Sequence, residues 1–365
     1  MKRIGIFGGS FNPIHSGHVG VALKAAAEYG LDRVLVVPAA CNPFKDGCGA
    51  DALRWTLVKC ACAAHPVLEP WDFELRKGGR SYSIDTVRAA RERVPDAELF
   101  FIVGEDNVAD IPRWKNADEL QRLVRFVPFP RTPESSTEVR RRLAAGEPVG
   151  DMVPQPVRDF LEAKAVVFDF GGVISISPRN DGWPLLDFCT GLGLSKEDFD
   201  RGWDRYRAKW DGGECTFEDL YRMTFADAGL PPPSPEQLER LWELDAVGWV
   251  KELSPETLAL MKDLKAAGKK IGILSNMSED FHERLFAPRC AEYRALADVE
   301  VISGKVRMFK PERPIYDLTA ERLGLPPEDI LFLDDTEPNV TAARKWGWRS
   351  QTYRAAPQEA APEGF

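Results

Sequence analysis

Two kinds of hydrophobic pattern alternate along the chain. Continuous apolar runs typical of strands that are covered on both faces of a parallel sheet occur at RIGIF (3–7), RVLVVP (33–38), ELFFIVG (98–104), AVVFDFGGV (165–173), KIGILS (270–275) and DILFLDD (329–335). The intervening segments are long enough for helices. In HVGVALKAAAEYG the periodicity predicts a helix that ends at Gly30, because a glycine commonly follows the last helical turn. The alternation predicts α/β structure with parallel sheets built from βαβ units.

The same pattern starts twice, which indicates two domains. RIGIF runs into a glycine turn, and AVVFDFGGV ends in an acid followed by glycines. A helix predicted in VPQPVRDFLEAK (153–164) leads directly into the second start. The length of 365 residues also fits two domains of roughly 150 residues each. We therefore predict two Rossmann-like domains, 1–163 and 164–365.

The second domain contains a segment with a different pattern. Residues 178–250 carry amphipathic helical runs, several tryptophans and no convincing strand. This composition predicts a helical subdomain inserted after the first strand of the domain. The tail, 355–365, is rich in alanine, proline and glutamate and is predicted to be disordered.

Charge and hydropathy exclude some classes of function. The chain has 48 Lys and Arg against 57 Asp and Glu, a formal charge of −9, which argues against non-specific nucleic-acid binding. No stretch approaches the roughly 20 uninterrupted apolar residues of a membrane span. The start, MKRIGIFGGS, becomes glycine-rich too early for a signal peptide. We expect a cytoplasmic protein that binds small molecules, not nucleic acid or membranes; a homo-oligomer is compatible with these features.

The string GGSFNPIHSGH (8–18) follows the first strand and indicates a phosphate site. A glycine turn lets backbone amides approach a phosphate, and the helix that follows adds its positive N-terminal end. His15 and His18 are three residues apart, so both imidazoles can face one phosphate cluster. They can donate hydrogen bonds to oxygens that gain charge during transfer.

At these residues the sequence resembles the HxGH nucleotidyltransferase superfamily and, more narrowly, the bacterial nicotinate-mononucleotide adenylyltransferases. The resemblance covers about residues 1–163. Further segments match in order: VPAACNPFKDG with Lys45, ELRKGGRSYSIDT (74–86), FIVGEDN (101–107), IPRWK (111–115) and the SSTxxR-like SSTEVR (135–140). One departure is a short connection between VRFVPFP (124–130) and Ser135, where the family has a longer segment with another strand.

The resemblance implies adenylyl transfer from ATP to nicotinate mononucleotide, which gives deamido-NAD and pyrophosphate. The mononucleotide's phosphate attacks the α-phosphorus of ATP in line, so catalysis consists of positioning and charge stabilisation. By resemblance, the catalytic residues are His15, His18, Lys45 and Arg140. The ATP site would comprise Gly8, Gly9, Ser10, Phe11, Gly104, Asp106, Ser136 and Thr137. The nicotinate nucleotide would contact Asn12, Tyr82, Thr86 and Trp114.

Polar residues follow several strands of the second domain. Asp169 ends one apolar run, Ser275 and Asn276 end another, and Asp334 and Asp335 end a third. The carboxyl ends of parallel strands meet at one edge of a sheet, where ligands bind. Lys310 precedes a helix that starts with a proline. Carboxylates are hard oxygen donors suited to Mg²⁺.

Together these segments resemble the four motifs of the haloacid-dehalogenase-like (HAD) superfamily, over about residues 164–354, with 178–250 as its cap. The resemblance implies that Asp169 attacks phosphorus to form an aspartyl-phosphate and that Lys310 pairs with Asp169 and the phosphate. Ser275 and Asn276 would hold the phosphoryl group. The Mg²⁺ ligands would be Asp169, the carbonyl of Gly171, Asp334 and Asp335.

One position departs from the pattern of the HAD phosphatases. They usually carry a second aspartate two residues after the nucleophile, as general acid, and here that residue is Gly171. The glycine predicts slow turnover.

We predict a bifunctional enzyme: an adenylyltransferase joined to a Mg²⁺-dependent phosphomonoester hydrolase. Three alternatives stay open: a preference for nicotinamide mononucleotide, a catalytically silent or regulatory HAD domain, and a metal-independent dehalogenase. The acidic pair Asp334-Asp335 argues against the dehalogenase, which needs no metal. The near-absent linker at residue 164 further suggests that the second site acts on a phosphomonoester of the same pathway, such as a pyridine mononucleotide.

Overall fold

The continuous apolar runs form the strands of two parallel sheets. The computed structural model describes residues 1–40, 50–176 and 184–355. The chain divides into two units, with the break after Glu162. In each unit the described residues form a five-stranded sheet, and all of the pairings between neighbouring strands are parallel. The predicted α/β class with two parallel-sheet, Rossmann-like domains is confirmed.

The sheet of the first unit is built around its first strand. Its strands are β1 (Arg3–Gly9), β2 (Arg33–Pro38), β3 (Leu68–Pro70), β4 (Glu98–Gly104) and β5 (Arg125–Phe129). They lie in the order β3-β2-β1-β4-β5. The chain moves outward through β2 and β3 and then returns to the other side of β1 with β4. The glycine turn after β1 therefore lies where the strand order reverses, the usual ligand site of such sheets.

Helices cover this sheet. They are α1 (Ser16–Tyr29), α2 (Asp51–Cys62), α3 (Phe73–Lys77), α4 (Ser83–Arg93), α5 (Glu105–Val108), α6 (Ala117–Leu123), α7 (Ser136–Ala144) and α8 (Gln155–Glu162), with 3₁₀ turns at Ile111–Arg113 and Gly150–Met152. Helix α1 ends at Gly30, whose φ of 56° is left-handed, as the sequence predicted. Buried side chains of β1, β2, β4, α4 and α6 form one hydrophobic core.

The second unit repeats the architecture. Its strands are β6 (Ala165–Phe168), β7 (Lys270–Ser275), β8 (Val299–Ile302), β9 (Ile330–Asp334) and β10 (Arg349–Thr352), in the order β10-β9-β6-β7-β8. Every residue of the central strand β6 is buried, which explains its unbroken apolar run. The helices that cover it are α13 (Pro255–Ala266), α14 (Glu279–Phe281), α15 (Ala287–Arg289), α16 (Ala291–Arg294), α17 (Ser303–Val306), α18 (Arg313–Leu323) and α19 (Glu337–Lys345), with a π-helical turn at His282–Phe286 and a 3₁₀ turn at Pro327–Asp329.

A helical cap lies between β6 and β7, as predicted. Over residues 184–250 the structure has helices and no strand: α9 (Pro184–Gly191), α10 (Lys196–Asp211), α11 (Phe217–Asp227), α12 (Pro235–Leu244) and a 3₁₀ turn at Val247–Val250. Trp210 is almost fully buried, and the ring of Phe217 packs edge-on against Trp242 at 4.9 Å. These two tryptophans therefore belong to the core of the cap.

Among the described residues, none of the helices combines the length and the apolar character needed to cross a bilayer. The predicted disordered tail lies outside the described residues, except for Ala355, which is buried.

Candidate functional site

The carboxyl edge of the first sheet gathers most of the predicted nucleotide-binding residues. Strand β1 ends at Gly9, and β4 ends at Gly104. Gly8 is exposed, whereas a Cβ on Gly9 would lie 2.9 Å from the Phe11 ring. Phe11 itself is buried and packs edge-on against His18 at 5.0 Å. The glycine turn is therefore exposed to solvent at Gly8, and the buried Phe11 ring packs against it at Gly9.

His15 and His18 hold the start of α1 through reciprocal hydrogen bonds. The His15 Nδ1 accepts from the backbone N–H of His18 at 3.3 Å, and the His18 Nδ1 accepts from that of His15 at 3.2 Å. The two rings stack with their centroids 3.5 Å apart. Because Nδ1 accepts in each ring, the neutral imidazoles carry their protons on Nε2. In both histidines the Nε2–H is therefore the ring's hydrogen-bond donor.

Burial decides the charge of His15. The side chain is 5% exposed, and desolvation lowers its pKa to about 4, although the nearby Glu134 opposes the shift. At neutral pH, His15 is thus an uncharged hydrogen-bond donor and not an imidazolium.

The SSTEVR segment closes over the glycine turn. The Ser136 hydroxyl donates to the carbonyl of Pro13 at 2.9 Å, and the Arg140 guanidinium donates to the carbonyl of Asn12. A second nitrogen of Arg140 donates to the Thr137 hydroxyl at 3.3 Å. The predicted residues Asn12, Ser136, Thr137 and Arg140 are thereby brought together with the histidines. The short connection before Ser135 does not prevent this closure.

Gly17 explains how the loop before α7 comes so close to α1. A Cβ at Gly17 would lie 2.0 Å from the Thr132 hydroxyl and 2.9 Å from a Glu134 carboxylate oxygen. Only a residue without a side chain lets residues 132–134 pack here. The glycine between the two histidines is therefore required by packing.

Arg54 is a site residue that the sequence reasoning missed. Its side chain is 3% exposed, donates to the carbonyl of Ser10 at 2.7 Å and pairs with Asp51 at 2.6 Å. A buried guanidinium bound to the turn after β1 fixes the backbone of that turn. An arginine within an otherwise helical run carries no signal that distinguishes it from a surface residue.

Two of the residues predicted to contact the nicotinate nucleotide, Tyr82 and Trp114, pack against the hydrophobic core of the first unit. Ser81 accepts from the backbone N–H of Ala40, just past the end of β2, at 3.0 Å. Tyr82 and Trp114 are half-buried, and Trp114 packs edge-on against Phe101 at 5.8 Å. Thr86 is buried and donates its hydroxyl proton to Glu74. Because the hydroxyl proton is donated to Glu74, the Thr86 oxygen can only accept hydrogen bonds from other groups.

Asp106 and Lys45 are two further residues predicted for the nucleotide site of the first unit. Asp106 is exposed and pairs with Arg131, whose Nε lies 2.8 Å from its carboxylate. Lys45 lies outside the described residues. The described residues therefore include the candidate nucleotide site without its predicted lysine.

In the second unit, Asp169, Lys310 and Asp334 form a buried charged cluster. The Lys310 Nζ lies 2.8 Å from an Asp169 oxygen and 2.6 Å from an Asp334 oxygen. Burial raises the pKa of Asp169 to about 7; the Lys310 ammonium opposes the shift, and the neighbouring Asp334 adds to it. The N–H of Phe170 donates to the same carboxylate at 2.6 Å. The ammonium thus stabilises two carboxylates that burial and mutual repulsion disfavour.

The acidic residues of this cluster fit a divalent cation. One oxygen from each of Asp169, Asp334 and Asp335 lies within 4.8 Å of the others. Two cations face these three carboxylates: Lys310 contacts Asp169 and Asp334, and Arg354 lies 3.6 Å from Asp335. A net negative charge therefore remains for a divalent cation to balance. All three donors are hard oxygens, which Mg²⁺ prefers. Gly172, with φ of 72°, permits this arrangement, because its Cβ would lie 2.3 Å from an Asp335 oxygen.

Asn276 positions Lys310. Its side-chain N–H donates to the Lys310 carbonyl at 2.9 Å, and its oxygen accepts from the Lys310 N–H at 3.0 Å. Both ends of the side-chain amide are therefore engaged with the lysine backbone. Asn276 also lines the cavity between this cluster and the cap, and its phosphate-holding role stays a prediction. Ser275 is buried at the end of β7 and also lines that cavity, which is described next.

A cavity of about 620 Å³ lies between this cluster and the cap. Its sheet side contains Asp169, Lys310 and Asp335, and the cap contributes Trp203, Arg207, Asp211 and Trp249. The Arg207 guanidinium lies 4.5 Å from the Trp203 ring and 3.1 Å from Asp211. On its cap side, the cavity over the carboxylates is therefore lined by two tryptophan rings and the Arg207–Asp211 ion pair.

Comparison with known proteins agrees with this division. Residues 6–159 match the cytidylyltransferase-like family model, and residues 163–347 match the model of haloacid dehalogenase-like hydrolases. The chain is 36% identical over 189 residues to the probable nicotinate-nucleotide adenylyltransferase of Shouchella clausii, covering 46% of this chain and 98% of the relative. It is 38% identical over 179 residues to that of Thermus thermophilus, covering 44% and 96%.

Among solved structures, the second unit is similar to a HAD family enzyme of Bacteroides thetaiotaomicron in complex with magnesium and inorganic phosphate. The identity is 20% and the TM-score 0.42, over 54% of this chain and 98% of that one.

These matches define the class as a nucleotidyltransferase unit followed by a hydrolase unit. The chain belongs to the nicotinate-nucleotide adenylyltransferase family in its first unit and to the haloacid dehalogenase-like hydrolases in its second. Both predicted resemblances are confirmed, and with them the prediction that the chain is an enzyme that joins these two kinds of activity.

Proposed function

We propose that the first unit transfers the adenylyl group of ATP to nicotinate mononucleotide, releasing pyrophosphate and deamido-NAD. The observation that carries this proposal is the His15–His18 pair, which offers two Nε2–H donors beside an open glycine turn. Oxygens of the ATP phosphates gain negative charge as the α–β bridge breaks, and neutral donors held in place stabilise them without reorganisation. Arg140 lies beside the same turn and adds positive charge.

The substrate choice rests on the resemblance and on the curated relatives, which are named for nicotinate nucleotide. The test is pyrophosphate release from ATP and Mg²⁺ with either nicotinate or nicotinamide mononucleotide. We expect the nicotinate substrate to be preferred; the reverse preference would reassign the substrate. His18→Ala should lower kcat by about 10²–10³-fold, the usual loss for one such donor.

For the second unit, we propose a Mg²⁺-dependent hydrolase of phosphomonoesters, with Asp169 as nucleophile. The observation that carries it is the buried Asp169–Lys310–Asp334 cluster at the floor of a large cavity. Asp169, Asp334 and Asp335 would hold the cation together with the Gly171 carbonyl. When bound, Mg²⁺ offsets the negative charge between the attacking carboxylate and the phosphate.

The residues of this chain account for the remaining steps. Lys310 favours the ionised form of the Asp169 carboxylate and orients it for attack, and Asn276 holds Lys310 in place. Ser275 contributes a hydroxyl to the phosphoryl site. The test is phosphate release from 4-nitrophenyl phosphate by the full chain with Mg²⁺. Asp169→Asn should abolish it; activity that persists in this variant would refute the assignment of the nucleophile.

A further inference from the structure

Asp211 is the acid that the cap contributes to the described part of the cavity. The other acids that line this part, Asp169 and Asp335, lie on the sheet side. The Asp211 side chain is 15% exposed, so it is largely buried but still accessible. Its two oxygens lie 3.1 Å and 3.2 Å from the Arg207 Nε. A carboxyl group of the cap therefore lies across the cavity from the proposed nucleophile.

Hydrogen bonds from the sheet side fix the position of Asp211. The Ser303 hydroxyl accepts from the N–H of Met277 at 2.9 Å and donates to the Asp211 carbonyl at 2.8 Å. Met277 lines the same cavity, in the loop that follows β7. Arg307 donates to the carbonyl of the next residue of the cap, Gly212, at 2.8 Å. The end of α10 is thus tied to the loop that contains the predicted phosphate-holding residues.

One guanidinium serves two carboxylates at this point of the cap. Arg207 also lies 3.3 Å from an oxygen of the buried Asp245, whose other oxygen accepts from the Tyr221 hydroxyl at 2.8 Å. Burial raises the pKa of Asp211 to about 6; Arg207 opposes this shift, and Asp245 and Asp280 add to it. A carboxyl group with such a pKa can release and take up a proton near neutral pH.

We propose that Asp211 is the general acid of the second site and protonates the leaving oxygen of the phosphomonoester. The inference rests on the proposed phosphohydrolase function and adds a catalytic residue to it. At a transferring phosphoryl group the attacking and leaving oxygens lie roughly in line. Because Asp169 attacks from the sheet side, the leaving oxygen departs toward the cap, to which Asp211 belongs. Gly171, at the position where HAD phosphatases usually carry the acid, has no side chain for this task.

The bonds change in two steps. An Asp169 oxygen bonds to phosphorus while the bond from phosphorus to the leaving oxygen breaks. The leaving oxygen keeps the electron pair and takes the Asp211 proton, which gives the alcohol. Water then bonds to phosphorus and gives one proton to the Asp211 carboxylate, while its other hydrogen stays on the phosphate. The phosphorus–Asp169 bond breaks and returns its electrons to Asp169, so both carboxyl groups regain their starting states.

The need for this acid depends on the leaving group. Water, a guide to alcohols, has a pKa of about 16, whereas phenols have a pKa of about 10. The nitro group of 4-nitrophenol stabilises its phenolate further. Alkyl phosphates, which include the 5′-phosphate of nicotinate mononucleotide, therefore depend on Asp211, whereas 4-nitrophenyl phosphate does not.

The experiment measures kcat/KM of the full chain with Mg²⁺ for butyl phosphate, nicotinate mononucleotide and 4-nitrophenyl phosphate. This parameter covers the steps up to departure of the leaving group and leaves out hydrolysis of the aspartyl-phosphate. In Asp211→Asn, kcat/KM for the alkyl phosphates should fall about 10²–10⁴-fold, while that for 4-nitrophenyl phosphate changes little. Asp227→Asn, which breaks a cap ion pair with Arg205 outside the cavity, is the matched control and should change none of the values.

The pH dependence of wild type is a second readout, which does not require a variant to fold. Asp211 donates in its protonated form, so the ratio of kcat/KM for butyl to 4-nitrophenyl phosphate should fall as the pH rises above about 6. Ionisation of the phosphate group and of Asp169 cancels in this ratio, because both substrates share it. The titratable groups that face Asp211 are Arg207 of α10, Asp245 after α12, Asp280 of α14 and the Cys215 thiol.

The outcomes separate the two proposals. If no compound gives phosphate release that depends on Asp169, the hydrolase function itself fails. If Asp211→Asn slows butyl and 4-nitrophenyl phosphate equally, or slows neither, the hydrolase stands and the role of Asp211 is overturned. A wild-type ratio that stays level with pH, or wild-type activity on the aryl ester alone, would also overturn that role.

Discussion

Substitution of Gly17 tests whether packing at the start of α1 holds the two histidines in place. A Cβ at Gly17 would lie 2.0 Å from the Thr132 hydroxyl and 2.9 Å from the Thr132 Cβ. The hydroxyl can rotate away, but the Thr132 Cβ moves only with the backbone. Gly17→Ala should therefore push residues 132–134 outward and disturb the closure of Ser136 over the glycine turn.

Gly20, on the same helix, is the matched control. It is exposed, and a Cβ there meets nothing within 4 Å. Gly20→Ala should stabilise the unit by about 0.5–1 kcal/mol through helix propensity alone. Both substitutions share that gain. The difference in free energy of unfolding between the two variants therefore measures the cost of overpacking at Gly17, which is typically about 1–3 kcal/mol.

The assay is native-state hydrogen exchange of β1 and β4, whose protection reports the free energy of unfolding of this unit within the full chain. Pyrophosphate release is measured in parallel. Gly17→Ala should be at least about 1 kcal/mol less stable than Gly20→Ala and at least tenfold slower. Thr132→Gly should rescue Gly17→Ala, since it removes the two Thr132 atoms that clash and leaves only the end of the Glu134 side chain, which can rotate away. Equal stability and activity of the two alanine variants would refute the packing argument.

Two further predictions concern charged groups. Burial lowers the pKa of His15 from 6.5 to about 4, so between these values the unfolded chain binds the proton more readily and stability falls as the pH drops. Between pH 7 and pH 4, hydrogen exchange should show that the wild-type first unit loses up to about 3 kcal/mol more free energy of unfolding than His15→Asn loses. Equal losses in wild type and in this variant would contradict the prediction. Lys310→Met leaves two buried carboxylates unpaired and should destabilise the second unit by about 3–5 kcal/mol. Lys164→Met, which breaks the exposed pair with Asp329 in the same unit, should cost at most about 1 kcal/mol in urea unfolding, and a similar loss for both variants would speak against the buried cluster.

Local pattern was sufficient to predict much of the fold. The runs 33–38, 98–104 and 270–275 are strands with the predicted bounds, because strands buried on both faces need unbroken apolar runs. The end of α1 at Gly30 was predictable because a left-handed residue there favours glycine. Strand β3, with three residues from Leu68 to Pro70, is too short to leave a pattern.

The parts of the sites that escaped prediction depend on contacts between distant segments. Arg54 reaches the Ser10 carbonyl from a helix 44 residues later, and Trp249 packs on Gly171 from the far end of the cap. The side-chain amide of Asn276 is bound to the Lys310 backbone, a partner that its position at a strand end does not reveal. Composition and spacing identify residue types suited to a site, whereas the partners that orient them are set by tertiary packing.

We propose that one chain carries two active sites, one in each unit. The most direct test is ³¹P NMR of a single reaction that contains the full chain, Mg²⁺, ATP, nicotinate mononucleotide and 4-nitrophenyl phosphate. Wild type should form pyrophosphate and deamido-NAD together with inorganic phosphate from the aryl ester. His18→Ala should lose only the dinucleotide and pyrophosphate, and Asp169→Asn should lose only the inorganic phosphate. A substitution that removes both sets of products, or neither, from a folded variant would contradict the account.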